Sequence, residues 1–393
     1  MARTTKLMSS LPIVADVKVD HEGRSIWPYI LEAERAALNM APTKLGPNYN
    51  EPLIGSRVLG FLLQDLWLHD KHSFGLIPYK NLIEHITLAL SISGYAVGSK
   101  EDCQARIKKL QDMGLYYRNH LFRVFRSNRG SIPSCSDESD PPSRPSLDVV
   151  RDRILSDTRT PTTEGSAHAN ALMRDGYRCM LTGEYDYISL EDHPELEEHA
   201  PADHETCFAE CAHIFSETAQ EGEPKAVYAA SALAILEVFG LNSKVENLVG
   251  RNVHEYFNIL TMRYDLHKLF DRLDIWLEEV IGEENTYEIV AVKDRLFKKM
   301  IGHIERVTFR VDPDVVAACR AKNIDPPSLP SPSLLAIRAV CSRVAHISGA
   351  ADHFDQILRD LEDTPVMAEN GGSAHLLASR LMQLSHPVDD TKA

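Results

Sequence analysis

The chain has 393 residues, a formal net charge of −15, 44% apolar and 25% charged residues. That is ordinary for a folded globular protein and long enough for two or more cores. No run of 18 apolar residues suggests a membrane span, and Met1 to Asp20 lacks the apolar stretch of a secretory signal.

The acidic balance argues against a simple nucleic-acid binder, which carries a basic footprint. The charge is unevenly spread. From Glu51 to Gly130, 11 Lys/Arg stand against 7 Asp/Glu; from Arg151 to Val280, 11 stand against 25. The seven cysteines are scattered and form no Cys-x-x-Cys pair. They read as reduced thiols of an intracellular protein, cytoplasmic or nuclear, and lend little support to a Cys-rich zinc site.

Residues 1 to about 50 carry Pro28, Pro42 and Pro47 and read as loosely structured, with a short helix near Tyr29 to Met40. Apolar periodicity predicts helices over 53–70, 79–96 and 100–116, the last opened by Ser99 or Lys100 ahead of Glu101 and Asp102. Residues 117–126 interleave Arg118, Arg123 and Arg126 with Tyr117, Phe122 and Phe125. Two readings stand for them: an amphipathic helix end, or a phosphate-contacting face. Residues 127–148 are rich in Ser, Pro, Gly and Asp and read as a flexible linker.

Beyond it, Ala167 to Arg174 suggests a helix, and Tyr177 to Gly183 a strand ending in a Gly turn. Residues 184–206 are acidic, hold His193, His199 and His204, and read as a surface loop. Cys207 to Phe215 is a strand candidate. Lys225 to Phe239 reads as a helix stopped by Gly240. Asn258 to Met262 is a short strand or extended turn, and Asp265 to Leu273 a helix. Thr286 to Val292 and Arg306 to Val311 read as a strand pair. Asp312-Pro313 then opens a helix as N-cap and first residue, and Ser333 to Leu361 is helical. The domains expected are a helical module (1–126), the linker (127–148), a central domain (149–280), a mixed extension (281–363) and a disordered tail (364–393).

The chemistry lies in a His…Asn…His order: Cys211-Ala212-His213-Ile214-Phe215, then Asn258-Ile259-Leu260, then Asp265-Leu266-His267-Lys268-Leu269-Phe270-Asp271. Leu266, Leu269, Phe270 and Leu273 fall at i, i+3, i+4, i+7, the buried stripe of a helix. His267 and Asp271, four apart, share the flank of that stripe. A histidine ending an apolar strand suits a general base, and one on a helix suits a divalent metal. Against this, Asp271 also reads as a solvated helix charge or a partner to a ligand. Cys179, Cys207 and Cys211 read as small core residues, and the loop histidines as surface residues.

These pieces, with Arg174-Asp175-Gly176-Tyr177-Arg178-Cys179 and Thr182-Gly183 upstream, resemble the HNH, or ββα-metal, endonuclease superfamily. The likeness is closest to the branch common in fungal proteins, with Ala-His-Ile and His-x-x-Phe-Asp motifs, and covers about Ala167 to Glu279. It implies an α+β chain: a helical N-terminal module, a central ββα-metal motif with a helical insertion, and a mixed C-terminal extension. It also implies roles: His213 as general base, Asn258 holding the loop and with it the base or metal, and His267 as ligand to Mg²⁺, Mn²⁺ or Zn²⁺. Nucleic acid would be the partner. The chain departs from the pattern at Ala212, where many members have a metal ligand, and in lacking Cys-x-x-Cys knuckles; Asp271 is the candidate replacement ligand. An HNH-like fold turned to small-molecule chemistry and a non-catalytic interaction protein are the alternatives.

Overall fold

A computed structural model describes residues 9–40, 50–69, 73–91, 94–122, 125, 146–156, 164–215, 233, 235–240, 253–302 and 304–355. The expected linker (apart from 146–148), most of the Lys225 to Phe239 helix, and the expected tail lie outside these.

Four long helices open the chain: α1 (His21–Leu38), α2 (Glu51–His69), α3 (Ile77–Ser91) and α4 (Lys100–Tyr117). Helix α1 begins eight residues before the helix expected at Tyr29, and Pro28 lies inside it. Its start is fixed locally, because Asp20 caps it by accepting from the Gly23 amide at 2.8 Å. The Ser99 side chain caps α4 in the same way, accepting from Asp102. Helix α2 is buried along nearly its whole first half, from Ile54 to Leu63. It meets α4 where Gly55 and Gly114 face each other, and a Cβ at Gly114 would run into the Gly55 carbonyl.

After a π-helical turn at Arg118–Phe122 come α5 (Leu147–Ser156) and α6 (Glu164–Arg174). Residues 184–206, expected as a loop, instead hold β1 (Tyr185–Asp186), α7 (Tyr187–Asp192), α8 (Pro194–His199) and the start of β2 (Thr206–Cys207). Asp186 caps α7 by accepting from Ser189, and Pro194 starts α8. Tyr177 to Gly183 is a turn rather than a strand, joined to β1 by a single Arg178–Tyr185 bridge.

The centre is β3 (Ala209–His213), antiparallel to β4 (Ile259–Arg263), with α9 (Tyr264–Asp271) following β4 directly. Successive strand residues face opposite ways. Cys211 and Ile259 pack with Ala167 and Ala171 of α6. Ala212, Leu260 and Met262 join Leu266 and Phe270 of α9 in the main core. A sheet of β5 (Ile275–Glu279), β6 (Thr286–Ala291) and β7 (Arg306–Thr308) follows, with α10 (Asp294–Ile301) between β6 and β7. The expected strand pair thus gains β5 as a third member. Then come α11 (Pro313–Lys322), capped by Asp312 with Pro313 first, and α12 (Pro332–Ser348).

One main cluster of buried apolar residues runs from Leu11 through the central unit to Ala351. The N-terminal helices therefore share their core with the rest. Arg343 of α12 binds Asp65 of α2 at 2.7 Å and Glu278 of β5 at 3.1 Å. Among the described residues no helix is long and apolar enough to cross a membrane.

Candidate active site

Two half-sites form around the strand–strand–helix unit. The first is built on His213, the last residue of β3, paired in register with Ile259. His213 is buried, and its Nε2 lies 3.1 Å from Nδ1 of His254, also buried, with the rings near a T arrangement. Asn258, wholly buried, fixes this pair from behind. Its Oδ1 accepts from the Phe215 amide at 2.8 Å, and its Nδ2 donates to the Phe215 carbonyl at 3.0 Å and to the Val253 carbonyl at 2.8 Å. The side chain thus ties the segment leaving His213 to the segment carrying His254. Its own carbonyl accepts from the Ile214 amide at 2.8 Å.

The second half-site is on α9. His267 is held between two carboxylates: Nδ1 lies 2.6 Å from Glu210 of β3, and Nε2 lies 3.5 Å from Asp271 one turn on. Burial alone would lower its pKa. Hydrogen bonds to Asp271 and Glu210 outweigh that and raise it to about 9. His267 is therefore a cation at neutral pH in this arrangement.

Arg338 of α12 joins the halves. Its guanidinium is buried, donating from one terminal nitrogen to the Ile214 carbonyl at 2.9 Å and from the other to the Phe270 carbonyl. It also stacks 3.5 Å from the Phe270 ring centroid. One side chain so holds the residue after His213 and the residue before Asp271. Upstream, buried Arg174 grips Asp175 through two bonds and donates to the Ile259 and Tyr256 carbonyls, while Asp175 accepts from the Thr261 amide. This anchors β4. Gly176 sits at φ 67°, a left-handed conformation that residues with a Cβ rarely adopt.

The basic-aromatic stretch is placed otherwise than expected. Arg118 is 1% exposed, 3.0 Å from Glu51 and 3.2 Å from Nδ1 of His353. A guanidinium inside the core offers nothing to a phosphate backbone, so the phosphate-contacting reading does not hold for it. Arg123 and Arg126 lie outside the described residues. Cys179, Cys207 and Cys211 are buried, and burial pushes the Cys207 thiol up. His199 and His204 bind their own backbone, at Glu195 and Pro201.

Glu210 and His254 were not singled out from the sequence. Glu210 stands three residues before His213, but its partner is 57 residues away, so only the fold pairs them. His254 lacks even that cue, being 41 residues from His213.

A divalent cation is tested by these donors. Nδ1 of His267 engages a carboxylate, the arrangement that orients a metal-binding imidazole and aims Nε2 outward. Asp271 lies on that Nε2 side. Together they offer one nitrogen and one oxygen, and Ala212 adds nothing. Among the described residues no group of three or more His, Cys, Asp or Glu is arranged to hold a metal. One nitrogen and one oxygen do not make a closed structural cage.

Comparison with curated proteins and with solved structures returns no match. Residues 179–278, which contain both half-sites but not Arg338, match a family described as HNH endonuclease.

Proposed function

We infer that the chain is a metal-dependent HNH-type hydrolase of phosphodiester bonds, of the branch with Ala-His-Ile and His-x-x-Phe-Asp motifs. The observation that carries this is the strand–strand–helix unit itself. It presents His213, Asn258 and His267 within the segment that matches the HNH endonuclease family. The unit is read as the ββα-metal motif.

His213 serves as general base, taking a proton from the attacking water. Asn258 holds the base by fixing Phe215 and Val253. His267 and Asp271 would hold the cation, with Glu210 orienting the imidazole. When bound, the cation neutralises charge on the phosphate and the leaving oxygen. The proton on His267 must leave for the cation to bind.

A second reading is favoured by charge. The 25 acidic residues against 11 basic in Arg151 to Val280, and the burial of Arg118, fit a small phosphodiester better than a long polyanion. The experiment offers plasmid DNA, RNA and bis(p-nitrophenyl) phosphate with Mg²⁺, Mn²⁺ or Zn²⁺. Cleavage of polymers supports the nuclease. Turnover of the small ester alone supports the second reading. Failure on all three with every metal sinks both.

A further inference from the structure

We propose that His254 is a positioning residue for the base, stabilising His213 in its protonated form; this rests on the reading of His213 given above. Two imidazole nitrogens 3.1 Å apart, in two buried rings, share one proton between them. In the resting state one ring donates and the other accepts.

The proton balance of the chemical step then assigns the roles. Water attacking phosphorus gives one proton to His213. With Nε2–H of His213 donating to Nδ1 of His254 at rest, Nδ1 of His213 takes this proton, and the imidazolium so formed carries protons on both nitrogens. Its Nε2–H keeps its hydrogen bond to Nδ1 of His254. Hydrogen bonding to the charged form favours that form. The buried imidazolium thus gains a hydrogen-bond partner in His254. The arrangement corresponds to the orienting group behind a catalytic histidine, with a neutral acceptor in place of an anion.

The fold invests in this contact. Asn258 binds both the segment after His213 and the carbonyl of Val253, the residue before His254. The family likeness explains why an Asn should hold the loop after the base. It does not explain why the same side chain should also grip Val253. Setting the approach of His254 to His213 does explain it.

The test compares His254→Phe with His254→Asn in the full chain. Phe keeps the ring volume and removes the nitrogen. Asn places an amide group near the Nδ1 position and keeps an acceptor. Thermal melting establishes that each variant is folded. Proton NMR of the free protein should show a protected downfield imidazole N–H that vanishes in His213→Gln and in His254→Phe but persists in His254→Asn. In cleavage assays His254→Phe should lower kcat by roughly 10- to 100-fold, as loss of a group orienting a catalytic residue does, with KM unchanged. His254→Asn should recover most of that loss.

A folded His254→Phe with wild-type kcat overturns the proposal, as does an absent shared proton. Equal loss in a folded Asn variant that keeps the proton signal overturns it too, because a second titrating ring is then required. A wild type inert toward every phosphodiester overturns the reading of His213, and the catalytic role of the pair falls with it. The proton signal then reports the contact alone.

Discussion

Asn258 holds Phe215 by both of its backbone groups, accepting from its amide at 2.8 Å and donating to its carbonyl at 3.0 Å. A single amide side chain thereby imitates the pairing of a neighbouring strand, just where β3 has ended. Aspartate has the same shape but no donors, and would set a carboxylate against the Phe215 and Val253 carbonyls. Asn258→Asp should lose about 3 kcal/mol or more of stability, the cost of unsatisfied buried groups and a buried charge. Denaturant unfolding measures it. A loss below about 1 kcal/mol would show that the clamp is not what orders this loop.

Arg338 makes a different prediction, about coupling. It binds Ile214 and Phe270 together from a helix outside the family-matched segment. Lysine keeps the charge but cannot bridge two carbonyls with a planar fork. Arg338→Lys should cost about 2 kcal/mol. It should also raise hydrogen exchange in both 213–215 and 266–271. Faster exchange in one segment only would mean that the halves are held independently.

The helical framework was largely legible. Caps at Ser99 and Asp312 and the stripe of α9 are local signals, and local signals survive folding. The His213, Asn258 and His267 order could be read because those residues occur in a recognisable sequence. Glu210 and His254 could not, since their partners lie 57 and 41 residues away in the chain. The segment 184–206 misled through its acidity and prolines, which also suit two short helices, one capped by Asp186 and one opened by Pro194. Arg118 misled for a related reason: alternating Arg and aromatic residues look alike whether the guanidinium faces water or, as here, is buried against a partly exposed Glu51 and a buried His353.

The Arg118–His353 contact predicts a pH effect. Burial and the nearby guanidinium lower the His353 pKa to about 3, against about 6.5 in an unfolded chain. Between those values the unfolded state binds a proton that the native state refuses, so stability falls as pH falls. The loss should reach roughly 3 kcal/mol from pH 6.5 to pH 4, with no contribution from this residue above pH 7. The difference between wild type and His353→Gln across pH isolates it from the carboxylates. Parallel curves would contradict the assignment.

His267→Ala leaves Glu210 without its imidazole and Asp271 as the remaining donor on α9. Cleavage should then require more metal, with the half-saturating Mn²⁺ concentration raised by roughly 10- to 100-fold and activity partly restored at high metal. An unchanged metal dependence would remove His267 from the cation site.

The central claim is that His213 activates the nucleophile. Its most direct test is phosphodiester cleavage by wild type and His213→Ala, purified identically and assayed with saturating Mn²⁺ and with chelator. The wild type should cleave only with metal, and His213→Ala should be slower by about 10² to 10⁴ while metal affinity and melting temperature stay near wild type. Full activity in folded His213→Ala would contradict the account.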